Sequence, residues 1–227
     1  MALVPLIVHL FLQQPEYQDI SIEGWTLHIR KQMVGMPETN RALVLLRTQL
    51  KEVIRVVPTE ARKQIQQVPL WFSPEPPNKP PGAAYHPGKQ WLIDNGFDPA
   101  MAKGIEFYNI KTFEAETRRM PNFALHELAH SYHDRFLKEG FENADIKAAF
   151  LAAKASKGYD KVERKDSEGR SSLDRAYAMT NQMEYFAELS EAYFAKNDFF
   201  PFNRAELASH DPAGMAAVER AWGVVKQ

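Results

Sequence analysis

Between Asn122 and Leu137 the chain places three histidines and a glutamate inside a stretch rich in apolar residues. Phe123, Leu125, Leu128, Ala129, Tyr132 and Phe136 put apolar surface on more than one side of a helix, so this helix is expected to be buried. Pro121 suits a helix start. His126 and His130 stand four residues apart, one turn along a single face, where both imidazoles reach one metal ion. Glu127 lies between them, placed to take a proton from a water at that ion. With seven histidines in 227 residues, chance supplies this His-Glu-x-x-His spacing about 0.02 times. Polar groups inside a buried helix need partners, and a metal gives both histidines one. The alternative is a pair of core histidines hydrogen-bonded to backbone.

A catalytic zinc takes three protein ligands and keeps a fourth position for water. Cysteine is excluded, because the chain has none. A third histidine six residues after His130 would mark another zinc class, but Phe136 stands there, and an aspartate at that place is equally absent. His133 lies about two turns from His126, and three ligands on one straight helix do not easily surround an ion. His133 is therefore expected beside the site or in its cleft, or else on a partly exposed helix surface. A second helix offers more. Residues 174 to 195 lack Gly and Pro, and Tyr177, Asn181, Glu184, Glu188 and Glu191 recur at steps of four, three, four and three. They make one polar stripe, with Met179, Met183, Phe186 and Tyr193 forming an apolar stripe elsewhere. Glu184 and Glu188 repel at i,i+4 unless a cation or donors lie near. Glu184 is thus expected to bind the metal. Glu188 is expected to accept a hydrogen bond from a ligand imidazole and fix its tautomer. The alternative is a solvated acidic face. If Glu184 is not the third ligand, His133 and Glu188 are next in line.

These two segments resemble the gluzincin metallopeptidases, which pair His-Glu-x-x-His on one helix with a Glu on a later helix. In thermolysin-like members a second acid four residues after that Glu supports a ligand histidine, the place held here by Glu188. The stretch Tyr177, Asn181, Glu184, Tyr185-Phe186, Ala187 and Glu188 is similar to the catalytic domain of the anthrax lethal factor family. By that likeness Tyr177 faces the general base across the zinc and assists at the oxyanion. Asp134, four residues after His130, matches the thermolysin pattern and implies a structural part around the site. The resemblance spans roughly 25 residues. It implies a zincin-like α+β fold, mainly helical with a small mixed sheet, one catalytic Zn²⁺ and hydrolysis of a peptide or protein substrate. Other readings are a pseudo-peptidase that binds zinc and peptides or a partner without turnover, and a helical structural protein with a coincidental motif.

Net charge is −1 and 25% of residues are charged, so nothing points to nucleic acid. No stretch approaches a membrane span, and the sequence is silent on oligomeric state. The apolar run 2 to 12 has the length of a signal-peptide core without a basic leader or a clear cleavage site. A secreted or otherwise extracytoplasmic location is expected, with a cytoplasmic one as the alternative. At this length the chain can form one domain or one domain plus a small lobe. It reads as a small α+β lobe, residues 1 to 75, and a catalytic region, 76 to 227, expected as one compact unit. In the lobe, Ile20, Ile22, Trp25, Leu27 and Ile29 alternate as a hairpin around Gly24. Residues 38 to 57 read as an amphipathic helix capped by Thr39 or Asn40, followed by a short helix near 59 to 66 and a strand at 68 to 72. The proline-rich 73 to 88 reads as an extended loop, a linker or a flap along the cleft. Residues 104 to 110 read as a strand, either the sheet edge that pairs with substrate or an interior strand. Residues 141 to 157 read as a helix, 158 to 173 as a mobile loop over the site, and 203 to 223 as a last helix or two.

Overall fold

The computed structural model describes residues 16–77 and 79–224, so the apolar run 2 to 12 lies outside the described residues. The fold is α+β. A five-stranded mixed sheet carries the order β1 (Tyr17–Ile22), β2 (Trp25–Arg30), β3 (Leu70–Phe72), β5 (Ile105–Phe107), β4 (Ala83–Tyr85). β1 and β2 form the expected hairpin, with Tyr17 opposite Arg30 and Ile22 opposite Trp25. β2–β3 and β3–β5 are parallel, and β4 runs antiparallel to β5. Alternation sends Leu27, Ile29, Leu70, Phe72, Ile105 and Phe107 to one face, all buried. The helices α1 (Pro37–Val56) and α5 (Phe123–Phe136) belong to the same buried cluster as this face. The opposite face carries Trp71, covered by Leu92 of α3 (Lys89–Asp94) and by Met101.

The other helices are α2 (Thr59–Ile65), α4 (Phe113–Arg119), α6 (Ala144–Ser156), α7 (Gln182–Phe194), α8 (Arg204–His210) and α9 (Pro212–Trp222). Among the described residues none is long and apolar enough to cross a membrane. One cluster of buried side chains runs from Ile22 to Trp222, and the sheet takes strands from both sides of residue 75. The division expected there falls inside one sheet.

Three expectations are corrected, and the choice left open for residues 104 to 110 is decided. α1 begins at Pro37 without a side-chain cap, so neither Thr39 nor Asn40 caps it; proline at the first position needs no amide partner. β5 is interior, hydrogen-bonded on both sides, and the sheet edge is β4, from within the proline-rich segment. Residues 158 to 173 are not a loop: β6 (Val162–Lys165) pairs with β7 (Ser171–Asp174). β6 is also tied to the chain beyond α7, the Lys165 amide donating to Asp198 O at 2.8 Å and the Phe200 amide to Glu163 O at 2.8 Å. Residues 174 to 195 are not one helix. A 3₁₀ turn at Tyr177–Met179 precedes α7, which starts after Asn181.

Candidate metal centre

The first turn of α5 is held from outside the helix. Asn122 Oδ1 accepts from the Leu125 amide at 3.0 Å, and Gln49 Oε1 on α1 accepts from the Ala124 amide at 2.9 Å. The Asn122 side chain returns a bond to Gln49 O at 3.0 Å. Amides that a helix leaves open are thereby satisfied, and the helix is locked in rotation just before His126. Residues 123 to 133 are all buried. His126 and His130 share one face, with Nε2 atoms 3.1 Å apart.

α7 brings the third donor. Asn181 caps it, its Oδ1 accepting from the amides of Met183 and Glu184, both at 2.9 Å. Glu184 is therefore fixed in the first turn. Its Oε2 lies 3.1 Å from His126 Nε2 and 3.2 Å from His130 Nε2. The three donor atoms form a nearly equilateral triangle. Zinc with bonds of about 2.0–2.1 Å and near-tetrahedral angles separates its ligand atoms by about 3.3 Å. The side chains present fit that ion, and all three line one cleft.

The rest of the centre sets the imidazole tautomer. His126 Nδ1 lies 2.9 Å from Glu191 Oε2 and 3.8 Å from Glu188 Oε1. Glu191 is thus the partner of Nδ1, and Nε2 is the ring atom left facing Glu184 and His130. Burial draws the His126 imidazole down, but the hydrogen bonds with Glu184 and Glu191 outweigh it and hold it well above its ordinary value. Burial pushes the Glu184 carboxyl up, and the two histidines more than reverse that, holding it far below the usual range. The residues are poised around positive charge. The expected role of Glu188 is corrected here: Glu191, one turn further along α7, takes the imidazole, and Glu188 Oε2 accepts from Asn197 Nδ2 at 3.0 Å. Burial, then the neighbouring Glu191, push the Glu188 carboxyl up to about 8.

Glu127 points to the sheet edge, where its Oε2 accepts from the Tyr85 amide at 2.8 Å. Tyr177 lines the same cleft from its separate 3₁₀ turn and is 48% exposed, open to a ligand. Burial and then the Glu184 charge raise its hydroxyl, which remains a donor. The cleft holds about 700 Å³ between β4 and residues 174 to 177, with Met120, Phe123, Met183 and Phe199 as apolar wall. His133 is neither beside the metal triangle nor on the surface. It is 0% exposed, set edge-on to Phe141 and Phe186, and both ring nitrogens lack a hydrogen-bond partner among the described residues. Asp134 meets neither ligand histidine, taking instead the Tyr85 hydroxyl at 2.6 Å and the Lys103 ammonium. Asn181 acts as the cap already described.

Sequence reasoning missed Gln49, Tyr85 and Asn197, and gave Glu191 no role. Gln49 had a signal, since it falls on the apolar face of α1 with Leu46, Leu50 and Val53. Glu191 stood in the stripe, one turn past the acid chosen. Tyr85 had none, because only the fold brings it to the helix. No protein-family model matches the chain, and neither does any curated protein or solved structure.

Proposed function

We propose that this protein is a zinc-dependent peptidase of the gluzincin type on a zincin-like fold. The observation that carries the reading is the triangle of His126 Nε2, His130 Nε2 and Glu184 Oε2, with sides of 3.1 to 3.2 Å. The antiparallel edge strand β4 above the histidine helix adds support. Its outward backbone can receive an extended peptide as a further strand. Gly82 O and the His86 amide bond toward β5, so alternation turns the backbone of Ala83 and the Tyr85 carbonyl to the cleft, the Tyr85 amide being taken by Glu127.

Zinc in the triangle would lower the pKa of a water toward neutrality and polarise the substrate carbonyl. Glu127 accepts the proton of the attacking water as its oxygen bonds to the peptide carbon. The Tyr177 hydroxyl donates to the oxyanion that develops. Glu127 then delivers the proton to the amide nitrogen as the carbon–nitrogen bond breaks. Glu191 keeps His126 in the tautomer that offers Nε2. Cleavage of a mixed peptide library, measured beside zinc content, tests the reading. One zinc per chain with hydrolysis that stops on chelation is expected. Zinc without hydrolysis would favour a peptide-binding protein, and no zinc would remove both.

A further inference from the structure

We propose that Tyr85 is a positioning residue that registers the sheet edge against α5, its amide holding Glu127 and its hydroxyl holding Asp134. The proposal rests on the peptidase reading, since it assigns Glu127 a working orientation. Glu127 and Asp134 are seven residues apart, two turns and about 10 Å along the helix. Tyr85 reaches both, through its amide at 2.8 Å and through its hydroxyl at 2.6 Å. One contact would leave the strand free to pivot on the helix, whereas two fix its translation and its angle.

A third group closes the frame. Lys103 pairs with the same Asp134 oxygen, its amide donates to His86 O at 2.7 Å, and its carbonyl accepts from Arg135 at 3.2 Å. The residue after Tyr85 and the residue after Asp134 are thus joined through one turn. Tyr85 and Glu127 are both buried, and the Tyr85 ring meets Phe141 edge-on at 6.5 Å. With Oε2 occupied by the Tyr85 amide, Glu127 turns Oε1 to the water and to the leaving nitrogen. A peptide paired to β4 is then carried in one register against that oxygen, so the strand that binds substrate and the carboxylate that works on it move as one body.

Tyr85→Phe keeps the ring and deletes only the hydroxyl, and Asp134→Leu removes the acceptor at the other end together with its Lys103 pair. Amide hydrogen exchange in Ala83–Tyr85, read at the Tyr85 amide that donates to Glu127, is expected to quicken about tenfold or more in both variants, at unchanged zinc content. kcat on a peptide cleaved by the wild type is expected to fall about tenfold or more with KM within twofold, as misplacement by part of an ångström does. The double variant is expected to be no worse than the Asp134 variant alone, because the Tyr85–Asp134 bond is already lost there. Exchange at 83–85 equal to wild type would overturn the proposal, as would additive losses in the double variant. If the wild type turns over no peptide, the peptidase reading fails, and the exchange measurement still decides whether Tyr85 ties the strand to the helix.

Discussion

Glu188 and Glu191 stand one turn apart on α7 and do different work. Glu191 holds His126 Nδ1, whereas Glu188 rests on Asn197. Glu191→Ala should therefore lower zinc affinity about 10- to 100-fold, and Glu188→Ala less, in competition with a fluorescent chelator. Equal losses would deny the division. Glu127→Gln should retain zinc and lose about 10²- to 10⁴-fold in kcat; wild-type turnover would remove the base from its role. His133 gives a pH dependence. Burial first, then the charge of His130, hold its imidazole down to about 4 against an ordinary 6.5. Below pH 6.5 the unfolded chain takes a proton that the folded chain refuses, so stability is lost as pH falls from 6.5 toward 4. His133→Leu lacks that loss. Relative to wild type it should gain about 2–3 kcal/mol more at pH 4.5 than at pH 7 in urea unfolding, and an equal difference at both pH values would contradict the buried, unpartnered imidazole. The pair His126 and His130 was legible because i,i+4 spacing is a local property. The choice between Glu188 and Glu191 was not, because it depends on how α7 is rotated against α5.

At the scale of elements, the start of α7 decides where Glu184 stands. Asn181→Ala removes the oxygen that accepts two amides and should cost about 1 kcal/mol of stability. It should also weaken zinc binding, since Glu184 loses its fixed turn, while Asn181→Asp should retain both. A variant with wild-type zinc affinity and lower stability would separate the cap from the metal. The break before α7 was hidden because Thr180 and Asn181 carry neither Gly nor Pro, and the polar stripe ran through them with helical spacing. The β6–β7 hairpin was hidden for a different reason. Its strands are rich in Lys, Glu and Ser, and β7 is exposed throughout, so no apolar alternation marks it. The hairpin β1–β2 was legible, since Ile22, Trp25, Leu27 and Ile29 all turn to the core. Strand order lies beyond any local pattern: β4, a three-residue strand between prolines, takes the edge that β5 was offered for.

Across the whole molecule, the candidate metal triangle joins two helices that are distant in sequence and packed in space. His126 and His130 come from α5 and Glu184 from α7, and both helices belong to the single buried cluster. An ion that binds only the folded chain stabilises it by mass action, about 4 kcal/mol at a thousandfold excess over Kd. The melting temperature should rise by roughly 10 °C with zinc for a chain of this size and return on chelation. Glu184→Ala should remove most of that rise. The mainly helical α+β class was expected from the resemblance and the helix carrying His126 and His130 from its apolar pattern, whereas the joining of strands from both sides of residue 75 in one sheet was not legible, because it arises from contacts between residues far apart in the chain. Zinc X-ray absorption on the loaded protein tests the centre most directly. Two imidazole nitrogens and carboxylate or water oxygens at about 2.0–2.2 Å, with the carboxylate contribution lost in Glu184→Ala, is the predicted result. A third imidazole, or a spectrum unchanged by Glu184→Ala, would contradict it.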